Sequence, residues 1–108
     1  MNVYNTLTKS KEPFQSLTPN VVKMYVCGVT VYDLCHIGHA RAYVVFDVIR
    51  RFLEFLGYTV TYVQNFTDVD DKIINRAKER GLAGKALSES MIQAYFDDMD
   101  RLNIVRAS

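Results

Sequence analysis

His36 and His39 stand three residues apart in "CHIGHARAY", residues 35–43, with Gly38 between them. Imidazoles exchange protons near neutral pH and also donate and accept hydrogen bonds, so the pair suits proton handling, metal ligation or the grip of a phosphate. Gly38 carries no Cβ and lets the backbone come close to a bound group. A zinc site from the two histidines and neighbouring Cys35 is weak, because zinc usually takes four ligands and no further cluster lies nearby. A phosphate fits better at the start of a helix, where unpaired amides and the positive end of the dipole attract an anion. Preorganised donors there lower the energy of charge that grows on the phosphate during reaction.

The flanking stretches predict that setting. "VVKMYVCGVTV" is dense in β-branched and aromatic residues and predicts a strand over 21–27, ended by Gly28. Its apolar side chains fall on both faces, as in a parallel strand covered on two sides. "ARAYVVFDVIRRFLEFL" has apolar residues at 42, 45, 46, 49, 52, 53 and 56, which predicts a helix over 40–56 that stops at Gly57. "YTVTYVQNF" predicts a second strand over 58–66. Strand, helix and strand make a parallel βαβ unit, and ligands bind such a unit at the carboxyl ends of its strands. The segment "CGVTVYDLCHIGH" falls there. "TDVDDKIINRAKERG" predicts a helix capped by Thr67 or Asp68 and stopped by Gly81. A last helix over 85–102 places Leu87, Met91, Tyr95, Met99 and Leu102 on one stripe. Residues 2–6 predict a short strand, and "KSKEPFQSLTPN" a polar connection. The expected class is α/β, a Rossmann-like parallel core followed by two helices.

Composition narrows the function classes. A chain of 108 residues holds one domain or part of one, and a domain of this size buries roughly 65% of its unfolded surface. With 13 basic and 12 acidic residues the net charge is +1, which gives no global pull toward nucleic acid. The N-terminus lacks the basic-then-apolar pattern of a secretory signal, and no run approaches the ~20 apolar residues that span a bilayer. Two cysteines, Cys27 and Cys35, form no CxxC pair, and a reduced cytoplasmic setting is expected. No pattern points to a protein partner.

Other residues have bland assignments. Asp68, Asp70 and Asp71 resemble a magnesium cluster, but capping and the helix dipole account for them more simply. Arg41, Arg50 and Arg51 are expected on a solvated helix face. Tyr43, Phe46, Phe52 and Phe55 are expected in the core, and Cys35 as a buried or loop thiol.

"HIGH" at residues 36–39, together with "MYVCGVTVYDLCHIGHARAYVVFDVIRRFLEFLGY" and "YVQNFTDVDDKIINRA", resembles the N-terminal part of the cysteinyl-tRNA synthetases, a class I synthetase family. The resemblance runs from "VYNTLT" to "DDMDRLNI". It implies activation of cysteine with ATP to cysteinyl-adenylate, then transfer to tRNA(Cys). It implies that His36, Gly38 and His39 bind ATP and that the two histidines stabilise the transition state at the α-phosphorus, with Mg2+ accompanying the nucleotide. Cys27 corresponds to the family's first zinc ligand, in a site where zinc also holds the substrate thiolate. Gly28 and Thr67 fall where the cysteine pocket would form, with a helix cap the other role for Thr67. The family's second signature, KMSKS, and its remaining zinc ligands are absent from these residues. Residues 1–108 are therefore expected to be the N-terminal portion of a class I catalytic domain, and inactive alone. Two alternatives stay open: a noncatalytic nucleotide-binding module or truncated product, and the related ATP-dependent cysteine ligase of mycothiol biosynthesis.

Overall fold

The computed structural model describes residues 1–108. A hairpin of β1 (Asn2–Asn5) and β2 (Ser10–Pro13) comes first, followed by β3 (Val21–Val26), α1 (Ile37–Phe55), β4 (Thr59–Gln64), α2 (Asp71–Arg80) and α3 (Gly84–Arg101). β3 and β4 pair in parallel from Val21 opposite Thr59 to Val26 opposite Gln64, with α1 as the crossover. The βαβ expectation holds. Gly57 and Gly81 end α1 and α2 with φ of 93° and 65°, as their positions in the sequence predicted.

Several boundaries differ from expectation. β2 was expected as irregular chain, yet residues 10–13 pair antiparallel with 2–5. Lys9 takes a φ of 55° to close the turn, and the Asn5 side chain caps it by accepting from the Leu7 amide. α1 starts at Ile37 rather than about 40, and α2 is capped by Asp70, whose carboxylate accepts from the Lys72 amide at 2.8 Å. Thr67 and Asp68 do not cap it. Asp70 and Asp71 thus serve the start of α2, as the simpler assignment had it.

The core joins the sheet to α1, α2 and α3. Val26, Val29, Val31, Tyr43, Tyr62, Ile73, Leu87, Tyr95 and Met99 are all buried in one cluster. Val29 and Val31 matter most for the site. Burying side chains of this size is worth about 1.5–3 kcal/mol each, so the segment after β3 is pinned to the body instead of hanging free. On α3 the expected stripe holds for Leu87, Tyr95 and Met99, while Leu102 lies just past the helix and is exposed. Ile104 packs against the cluster in its stead.

α1 departs most from its periodicity. Tyr43 and Leu53 are buried, and Phe46 packs on the core, but Phe52 and Phe55 are 41% and 83% exposed and stack on each other. These two are not core. With Val44, Val45, Val48 and Leu56 they leave an uncovered apolar face. The inward face instead buries a carboxylate. Asp47 accepts from the Val105 amide at 2.9 Å and from Arg51 Nε at 2.7 Å, while Arg51 also donates to the Asn103 carbonyl. Arg50 donates to the Arg106 carbonyl. Both arginines therefore tie residues 103–106 to the helix, Arg50 from a largely covered side chain and Arg51 from an exposed one; Arg41 and Arg51 face solvent as expected, and Arg50 does not. Asp47→Ala removes charged hydrogen bonds worth roughly 2 kcal/mol in sum and strands the Val105 amide. Urea unfolding should show that loss, with Asp47→Asn losing less; an unchanged midpoint for the alanine variant would rule out the clamp.

Candidate functional site

The site forms where β3 ends and α1 begins. His36 is the N-cap of α1, with extended backbone. Its Nδ1 accepts from the Gly38 amide at 3.0 Å, and His39 Nδ1 accepts from the His36 amide at 3.0 Å. This is a reciprocal capping box built from two imidazoles in place of the usual hydroxyl and carboxylate. Both backbone partners are N–H donors, so each Nδ1 must be bare, and each neutral ring carries its proton on Nε2. Two Nε2–H donors are thereby oriented without help from any third side chain.

One expectation is corrected here. The first-turn amides were to be free for an anion, but His36 and Gly38 amides are bonded to imidazoles and the His39 amide to the His36 carbonyl. Only the Ile37 amide of that turn lacks a partner in the chain. An anion would meet that amide, the helix dipole and the two Nε2–H groups. A cavity of about 230 Å3 opens beside them, lined by residues 29–35, His36, His39, Met91 and Tyr95.

A second group lies at the ends of the strands. Cys27 follows β3 with its thiol exposed, its only hydrogen bond a 3.7 Å contact to the Gly28 carbonyl. Gly28 has no room for a side chain, because a Cβ there would lie 1.7 Å from the Asn65 carbonyl oxygen. Thr67 continues the parallel pairing past a break: its amide donates to Val29, its carbonyl accepts from Val31, and it bridges Thr30. Thr67 is thus held as a strand residue, and its helix-cap role is excluded. The cavity at the histidines takes in neither Cys27, Gly28 nor Thr67. Residues 29–35 link Cys27 and Gly28 to the histidines, and α1 with β4 links the histidines to Thr67.

Tyr43 and Tyr95 wall off the interior. The Tyr43 hydroxyl donates to the Cys27 carbonyl at 3.4 Å and the Tyr95 hydroxyl to Gln64 Oε1 at 2.9 Å. Burial pushes the Tyr43 phenol up to about 12, with Cys35 and Cys27 adding to it, and raises Tyr95 for the same first reason. Both stay protonated at any working pH and act as fixed donors. Burial, then Asp98, raises the Cys35 thiol, so Cys35 is an inert, half-buried thiol of the kind expected. No group of three His, Cys, Asp or Glu side chains converges closely enough to hold a metal ion. Cys27 offers one soft ligand, and the chain brings no others to it.

Asn65, Tyr43, Gln64 and Asp47 were not expected as site or support residues. Asn65 had a signal: a polar amide directly after a strand end facing a Gly is well placed to accept from that glycine's backbone. The others sit inside apolar runs, and nothing local marks them.

The backbone matches that of methionyl-tRNA synthetase from Mycobacterium tuberculosis, solved in complex with methionyl-adenylate, with a TM-score of 0.73 at 22% identity, over 78% of this chain and 16% of that one. The fold is therefore that of a class I synthetase catalytic domain. The chain belongs to the family of the tRNA synthetases class I (C) catalytic domain, whose model matches residues 13–108. It is similar to proteins named cysteine–tRNA ligase: 63% identical over 107 residues in Gloeobacter violaceus, 60% over 107 in a Cyanothece species, and 62% over 104 in Syntrophotalea carbinolica. Those alignments cover 96–99% of this chain and 22% of each relative, so the chain spans about a fifth of their length. No helix is long and apolar enough to cross a membrane.

Proposed function

We propose that these residues are the N-terminal portion of a cytoplasmic ligase that activates cysteine with ATP and transfers it to tRNA(Cys). The observation that carries the proposal is the reciprocal imidazole cap, which aims two Nε2–H donors outward at a helix N-terminus, beside a strand end bearing an exposed thiol. The similarity to cysteine–tRNA ligases along 99% of the chain supports the choice of amino acid.

His36 and His39 donate from Nε2 to the ATP phosphates, and Gly38 lets the nucleotide approach the helix. Magnesium accompanies the nucleotide. As the α-phosphorus is attacked, charge grows on its oxygens, and donors already oriented by the cap stabilise it without reorganising. Gly28 and Thr67 border the cysteine pocket through backbone held by the bridge to residues 29–31. Cys27 would hold zinc together with ligands from the rest of the protein, and that metal, when bound, grips the substrate thiolate and so rejects a serine hydroxyl.

The test is a chimera in which residues 1–108 replace the matching segment of the Gloeobacter violaceus relative. It should catalyse cysteine-dependent ATP–pyrophosphate exchange and charge tRNA(Cys), whereas the 108-residue chain alone should do neither and hold no stoichiometric zinc. Exchange without tRNA charging would favour a different acceptor for the cysteine. A chimera devoid of exchange, though folded, would sink the proposal.

A further inference from the structure

We infer that Asn65 is the positioning residue that sets the cysteine pocket, by tying the ends of β3 and β4 together at Gly28 and Thr67. The inference rests on the cysteine assignment of that pocket above, and names the side chain that builds it.

Three bonds meet in this one amide. Asn65 Oδ1 accepts from the Gly28 amide at 2.8 Å and from the Tyr25 hydroxyl at 2.9 Å. Its Nδ2 reaches Thr67 Oγ1 at 3.5 Å. The ladder of regular pairs ends one residue earlier, at Val26 opposite Gln64, and pairing resumes only at Thr30 opposite Thr67. Between these points the regular pairing lapses, and without the Asn65 side chain the Gly28 amide would have no partner. The Asn65 side chain closes that gap, doing for Gly28 what a backbone carbonyl does elsewhere in a sheet.

The close approach of Gly28 to the Asn65 main chain makes the arrangement rigid. The absent Cβ admits the Asn65 carbonyl into its place, so the two residues touch through backbone and side chain at once. Cys27 is bonded covalently to Gly28 and its carbonyl accepts from the Tyr43 hydroxyl, so the backbone that carries its thiol is placed by where Gly28 is held. Thr67 is fixed through its backbone by Val29 and Val31 and through its hydroxyl by Asn65. One side chain thus spaces the thiol at one side of the pocket from the hydroxyl at the other. The ATP end at His36 and His39 takes no bond from Asn65, so its loss separates the two substrates.

The experiment compares Asn65→Leu, which keeps the branched shape and removes all three bonds, with Asn65→Asp, which keeps the acceptor. In the chimera, Asn65→Leu should raise the KM for cysteine at least tenfold in the exchange reaction while the KM for ATP moves less than threefold. Asn65→Asp should restore most of the cysteine KM. Equal changes in both KM values, or a cysteine KM within threefold of the parent, would overturn the inference and leave Asn65 a general stabiliser. Amide hydrogen exchange on the same proteins gives a readout independent of activity. Gly28 should lose at least tenfold protection in Asn65→Leu while Tyr62 and Met24 keep theirs, and unchanged Gly28 protection also overturns the inference. Lack of exchange activity in the unsubstituted chimera would instead strike the cysteine assignment, with the hydrogen-exchange result still deciding what Asn65 holds.

Discussion

Replacing His39 by alanine in the chimera is expected to slow cysteine-dependent ATP–pyrophosphate exchange by about 10²–10³-fold, the usual loss for one preorganised donor. The KM for ATP should change far less, since the donor acts on charge that develops in the transition state. Alanine also removes the acceptor for the His36 amide, and losing half of a cap destabilises by roughly 1 kcal/mol. His39→Glu separates the two roles. Glutamate is the common third-position partner in a capping box and can accept from the His36 amide, yet it places a carboxylate where Nε2–H would donate. The glutamate variant should melt near the parent and exchange no faster than the alanine variant. An alanine variant with full exchange would remove His39 from the chemistry.

The second large effect falls on stability. Gly28→Ala puts a methyl 1.7 Å from the Asn65 carbonyl oxygen and 2.8 Å from its carbon. Both are backbone atoms, so no rotamer change relieves the clash, and the strand ends must separate. Overpacking commonly costs about 1–3 kcal/mol, and a clash against main chain belongs at or above the top of that range. For a domain of this size the melting temperature should fall by roughly 12 °C or more. A melting temperature within a few degrees of the parent would mean that β3 and β4 do not approach at Gly28 as described.

The parts of this fold that could be read in advance are those where local chemistry and global packing agree. β3, α1, β4 and the two glycine stops follow from β-branched density, helical spacing and left-handed backbone, and the parallel pairing follows from their order. The start of α1 was misplaced because histidine is not a usual N-cap; only its geometry with His39 shows that it serves as one. Thr67 precedes an acidic run and so resembled a cap, but the bridge to residues 29–31 is a long-range bond with no local trace. The histidine pair itself was legible from spacing. What it does with its Nδ1 atoms was not, because that depends on backbone directions within one turn. Phe52 and Phe55 keep helical periodicity while facing outward, since periodicity shows that a face is apolar and not what covers it.

The parallel β3–β4 pair has a consequence for the order of events during folding. Every partner in that ladder is separated from its mate by the site segment and the whole of α1. No tight turn can bring the two strands together, and the entropy of closing so long a loop delays their meeting. α1 needs only local contacts and can form on a timescale of about a microsecond. Once formed, it delivers Thr59, whose amide bonds the Asn20 carbonyl, to the very start of β3. On a ribosome, Val21–Val26 emerges well before its partner and waits as an open apolar edge, the kind of surface that chaperones shield. The crossover helix therefore sets how long that edge stays open, and substitutions that weaken α1 from within should lower the yield of soluble protein before they lower the stability of what has folded.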